Sequence, residues 1–113
     1  MYRIEGDGSF LNTKIWDDDV LIEEWDNCTI KVDHTQCVAM VNATGSGDWK
    51  PVKRIVLSGV YMVVSDGDFK NTKVLVNDMP LRGVQSLVII IAQLEYPLIH
   101  ITSVMLPNIV ENP

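Results

Sequence analysis

The chain has 113 residues, 47% hydrophobic and 21% charged, with a formal net charge of −6. That length suits one domain able to bury roughly 65% of its unfolded surface, and the composition excludes a disordered polymer. The acidic balance argues against sequence-independent binding to phosphate backbones.

Taken in chain order, the sequence predicts strands near 2–5, 13–16, 28–32, 37–42, 53–64, 72–76, 84–92 and 98–106. Apolar residues at every second position mark a strand with one buried face. Ile30/Val32, Val38/Met40 and Ile99/Ile101 fit that template. Asp7-Gly8 and Asp66-Gly67 are tight-turn chemistry, because glycine accepts positive φ without steric cost. His34 falls in the first hairpin turn, and Tyr96-Pro97 is expected to turn the last one. Val84 to Leu94 is the one candidate helix, and Val88-Ile89-Ile90-Ile91 argues for a strand instead.

An internal repeat organises these elements. Shifted by 59 positions, residues 2–15 fall on 61–74 with seven identities in fourteen: Tyr, Asp, Gly, Phe, Asn, Thr and Lys. About one would be expected from composition. Ile4/Val63 and Ile15/Val74 keep the β-branched type, and Cys28, Ile30 and Val32 fall on Leu87, Ile89 and Ile91. After a two-residue insertion, Val38 and Met40 fall on Ile99 and Ile101. The units are therefore about 2–43 and 61–106, joined by 44–60. Each is too small for a core of its own, so both are expected to pack as one all-β domain. The expected fold is a duplicated antiparallel β-sandwich or small barrel of about eight strands with little or no helix. Tyr2/Tyr61 and Phe10/Phe69 are expected to be matched core anchors.

Charge is uneven. Residues 1–49 hold three basic side chains against ten acidic, and residues 50–113 hold six against five. Asp17-Asp18-Asp19 lacks the alternating ligand spacing of a calcium loop, so a solvated or partner-facing loop is the better reading. Lys50, Lys53, Arg54, Lys70, Lys73 and Arg82 would form a basic patch if the fold gathered them. Two cysteines and two histidines at these spacings do not make a zinc site. No nucleophile sits in a catalytic context, and no glycine-rich phosphate loop is present. The expectation is a non-enzyme with no catalytic residue, metal or cofactor. Cys28 and Cys37 are expected to be free thiols, with Val32 opposite Val38 in the hairpin. The N-terminus lacks a signal-like apolar run, and Leu87 to Ala92 is far below the ~20 residues that span a bilayer. The expected location is a host cytoplasm or a virion.

Both units carry Asn-Thr-Lys. Asn12, Lys14, Asn71 and Lys73 are candidate ligand-binding residues for an anionic group, set against a structural role at the turn-to-strand junction. The units also differ. Thr29, Lys31 and Asp33 correspond to Val88, Ile90 and Ala92, so the second copy's strand is apolar on both faces. Strands of that kind lie buried on both sides or in an interface. Val88 and Ile90 are thus candidate interface residues of a homo-oligomer, with cover by the 44–60 connection, Trp49 and Val52 lying across the strand, as the competing cause.

With Gly6-Asp7-Gly8 and Thr13-Lys14 near the start, and Gly83-Val84-Gln85-Ser86 and Leu106-Pro107 near the end, the chain resembles small proteins of tailed bacteriophages and prophages. That group has no assigned activity. The resemblance implies a context, virion part or early accessory protein, and no site residues. The Asp17–Asp19 run and the three tryptophans lie outside the shared pattern. The functional expectation is a self-associating binding or assembly protein that acts through protein contacts. The alternatives are a small-molecule or nucleotide sequestering protein and, more weakly, a small-barrel nucleic-acid binder.

Overall fold

β-branched residues and alternating polarity turn most of the described residues into strands. The computed structural model describes residues 1–42, 48–59, 61–92 and 98–103, without the side chains of 98–100 and 102–103. Eleven strands run in chain order: β1 (Tyr2–Gly6), β2 (Lys14–Asp17), β3 (Val20–Leu21), β4 (Asn27–Asp33), β5 (Gln36–Asn42), β6 (Trp49–Leu57), β7 (Tyr61–Ser65), β8 (Lys73–Val76), β9 (Met79–Pro80), β10 (Val84–Ala92) and β11 (Leu98–Ser103). The described helix is a single 3₁₀ turn, Phe69–Asn71. The fold is all-β.

The hydrogen-bond registers of β1–β3 and β7–β9 are identical under the 59-residue shift. Ile4 faces Ile15 as Val63 faces Val74, and Trp16 faces Leu21 as Leu75 faces Pro80. Both meanders turn through two-residue loops whose residues have positive φ, Asp18-Asp19 (49° and 69°) and Asn77-Asp78 (52° and 65°). This is the type I′ geometry that matches strand twist. Gly8 and Gly67 adopt φ of 88° and 95°, as Asp-Gly turns require.

Two ladders cross between the units. β4 pairs antiparallel with β10, and Ile30 lies opposite Ile89, its own counterpart. β6 lies between β1 and β7, parallel to the first and antiparallel to the second. Glu5 and its counterpart Val64 both face Val56. The pairings are thus arranged symmetrically about Val56 in one place and about Ile30/Ile89 in the other. The N-terminal end of β6 also pairs with β5, Met40 facing Trp49 and Val38 facing Pro51. One strand therefore joins the block β3-β2-β1-β6-β7-β8-β9 to the block β11-β10-β4-β5.

The inward residues of both blocks form one core, including Ile4, Ile15, Val52, Ile55 and Val63 from the first and Cys28, Ile30, Val32, Leu87, Ile89 and Ile91 from the second. Val52 and Ile55 both point inward, although three residues apart, because a bulge at Lys53 shifts the register between Tyr2 and Arg3.

Several expectations need correction. The sheet is mixed, since β1 and β6 run parallel. The expected strand over 53–64 is two strands, β6 and β7, and residues 49–57 of the connection form the central strand of the first block. On β5 the buried residues are Cys37, Ala39 and Val41, whereas Val38 and Met40 are half-buried on the outer face. The two-residue His34-Thr35 loop sets this, since it pairs Asp33 with Gln36 and puts Val32 opposite Cys37. Tyr2 is 4% exposed but Tyr61 is 38% exposed. β6 runs beside Tyr2 from Val52 onward, while its ladder with β7 stops at Val63. The Tyr96-Pro97 turn and residues 104–106 lie outside the described residues.

Candidate binding surfaces

The duplicated Asn-Thr-Lys residues sit where each first strand hands over to the second. Asn12 Nδ2 donates to Asp7 Oδ2 and Asn71 Nδ2 donates to Asp66 Oδ2, each at 2.9 Å. Thr13 Oγ1 accepts from Gly8 N, whereas Thr72 Oγ1 hydrogen-bonds Ser65 Oγ and donates to the Asp68 carbonyl. Each amide is thereby used to close its own loop. Ser9 and Asn12 hold the Asp7 carboxyl below its ordinary pKa by hydrogen bonding. Lys14 and Lys73 begin β2 and β8 with exposed side chains, opposite Glu5 and Val64. The two loops lie at opposite ends of β6. A Cβ on Gly67 would come 2.5 Å from the Val52 carbonyl, whereas Ser58, beyond Leu57, donates to the Gly6 carbonyl. Asn12/Lys14 and Asn71/Lys73 are not brought into one site.

The cations of β6 are matched with acids of the first unit. Lys50 Nζ lies 2.9 Å from Asp17 Oδ2, Lys53 Nζ 3.3 Å from Asp19 Oδ1, and Arg54 Nε 3.2 Å from Glu5 Oε2. The Asp18 carboxyl meets the N-terminal ammonium. Two of the six cations of the sequence's candidate basic patch thus answer the acidic run, and a third answers Glu5. Among the described residues, no group of three or more His, Cys, Asp or Glu side chains is placed to hold a metal ion. Cys28 and Cys37 are free and buried, and burial pushes the Cys28 thiol up to about 12. An unexposed, protonated thiol is a poor nucleophile.

The outer face of the β10 block carries the unit difference. Along one row Ile90, Thr29, Met40 and Trp49 are neighbours, and along the next come Val88, Lys31, Val38 and Pro51. Val88 and Ile90 are half-buried there, on the face opposite Leu87, Ile89 and Ile91. Val52 belongs to the core and Trp49 sits on β6 with the Lys31 ammonium 4.5 Å from its ring centroid. Val52 therefore does not lie across β10, while the Trp49 ring reaches Lys31, the cross-strand neighbour of Val88. Among the described residues β11 is an open edge, whereas its counterpart β5 is covered by Trp49–Pro51.

Two grooves, missed by sequence reasoning, occupy equivalent places in the units. One is lined by Phe10, Leu11, Thr13, Ile22 and Trp25 among others, and the second by their counterparts Phe69, Lys70, Thr72, Leu81 and Val84. Their volumes are ≈290 and ≈280 Å³. The signal lay in the continued 59-residue alignment, where Trp25 falls on Val84. No helix of the described structure is long and apolar enough to cross a membrane. No protein-family model matches the chain, and no curated protein or solved structure matches it either.

Proposed function

We propose that the protein is a non-enzymatic binding protein that self-associates through its second unit and acts through protein contacts. The virion or early accessory context of a tailed phage is the setting in which we place it. The observation that carries this reading is the replacement of Thr29 and Lys31 by Val88 and Ile90 at equivalent outward positions. The fold tolerates polar side chains there, so the apolar ones need a cause particular to the second unit. Burying such a side chain contributes about 1.5–3 kcal/mol. The same trend recurs on the other block, where Met62 and Val64 stand in the places of Arg3 and Glu5. Among the described residues β11 pairs with β10 alone, so its outer edge lies beside the apolar face. Pairing of Lys50, Lys53 and Arg54 with carboxylates favours protein contact over nucleic acid, because it removes the charge that phosphate would need.

Sedimentation of the intact chain tests this. At tens of micromolar the wild type is expected to run as a dimer or larger, and Ile90→Lys to stay folded by circular dichroism while its mass falls to 12.7 kDa. A wild type already at 12.7 kDa, or a variant that unfolds, contradicts the reading.

A further inference from the structure

We propose that the groove between Phe69 and Val84 binds a flat aromatic anion of about indole size. The first unit shows what the equivalent place accepts. There Trp25, 7% exposed, packs on Phe10 with ring centroids 4.6 Å apart and planes tilted by 52°. Its indole walls the groove off from the core, and the lining stays with Phe10, Leu11, Ile22 and neighbouring rim residues.

In the second unit Val84 stands where Trp25 would be, and Phe69 has no indole from that position. The groove consequently descends to Val32, Val74 and Leu87, all core residues. Their counterparts Ile91, Ile15 and Cys28 do not line the first groove. His34 stands edge-on to the Phe69 ring with centroids 6.4 Å apart, and Phe69 also lines the groove over an apolar floor. A volume of ≈280 Å³ lies at the bottom of the range for ligand pockets, about 300–1,000 Å³, which suits a two-ring group and not a nucleotide.

Charge sets the rest of the ligand. Leu11 on the first rim becomes Lys70 on the second, and the first groove carries both Lys14 and Glu23. Among the described residues lining the second, Lys70 is the one charged side chain. An ammonium at the mouth of an apolar slot matches an aromatic ring that carries a carboxylate. The site is independent of the outer face of β10, since Leu87 and Val88 point to opposite sides of that strand.

Titration of the full-length protein with indole-3-acetate and with neutral indole, followed by amide chemical shifts, tests the assignment. Saturable shifts at low-millimolar ligand, concentrated in residues 69–72 and 81–87, are expected. Val84→Trp should abolish binding of both probes while the protein stays folded. Lys70→Glu should weaken indole-3-acetate about three-fold or more and leave indole within two-fold. No saturation by about 10 mM, shifts centred elsewhere, or a folded Val84→Trp variant that binds as before overturns the site. Equal effects of Lys70→Glu on both probes overturn the anion. If Val84→Trp does not fold, the shift map and Lys70→Glu decide alone.

Discussion

The two units share a ladder and differ in what they do with its faces. In the first, outward positions carry Arg3, Glu5, Thr29 and Lys31, the groove is walled off from the core by Trp25 on Phe10, and β5 is covered by β6. In the second, the same positions carry Met62, Val64, Val88 and Ile90, the groove is open to the core, and among the described residues β11 is an edge. Inward positions barely differ, since Ile4/Val63, Ile15/Val74 and Ile30/Ile89 are buried alike. Inward chemistry thus preserves the fold in both units, while outward positions of the second change from polar to apolar.

Substitutions at matched positions can break that comparison. The largest contrast is expected at the grooves. Trp25→Ala should cost about 3–5 kcal/mol in urea unfolding, because a buried indole leaves a cavity against Phe10. Val84→Ala should cost about 1 kcal/mol or less, since its groove is already open. Similar losses at both would mean that Trp25 does not seal the first unit.

Next come the tyrosines. Tyr2→Ala should cost about 3 kcal/mol and Tyr61→Ala less than about 1, reflecting 4% and 38% exposure. Equal melting shifts would contradict the cover that β6 gives to Tyr2 alone.

The loops should behave alike, which sharpens the comparison from the other side. Asn12→Ala and Asn71→Ala each remove one 2.9 Å hydrogen bond to an aspartate. Each should cost about 0.5–1.5 kcal/mol, and a marked difference would assign one of them a further duty.

The smallest effect is on pH. Asp7 has its folded pKa lowered by Ser9 and Asn12, so the loop's stabilisation is complete above the ordinary carboxylate value near 4. It is lost as pH falls below that value through the lowered one. Protection factors of amides in residues 7–13, which remove the intrinsic pH dependence of exchange, should therefore fall below about pH 4 and stay constant from pH 5 to 7.

Much of the fold was legible because turn chemistry repeats. Asp-Gly and Asn-Thr-Lys recur at one spacing, and each anchors the same strand–loop–strand. The face of β5 was not legible, since Val38 and Met40 are more apolar than Cys37 and Ala39, and only the two-residue loop sets the parity. β6 had no counterpart to align with, so its place beside β1 and its ion pairs with Asp17, Asp19 and Glu5 could not be read from spacing. The Asn residues recur as a pair in the sequence, and hydrogen bonds within each loop account for their amides. The grooves depend on which side chain closes them across a three-dimensional gap, and that needed coordinates.

The central claim is that association belongs to the second unit. Hydrogen–deuterium exchange read by mass spectrometry, at about 1 µM and about 100 µM, tests it most directly, because open-edge amides exchange slowly only when a partner covers them. The account predicts slower exchange at the higher concentration in β11, residues 98–103, with β5, residues 36–42, unchanged. Concentration-independent exchange in both strands, or added protection confined to β5, would contradict it.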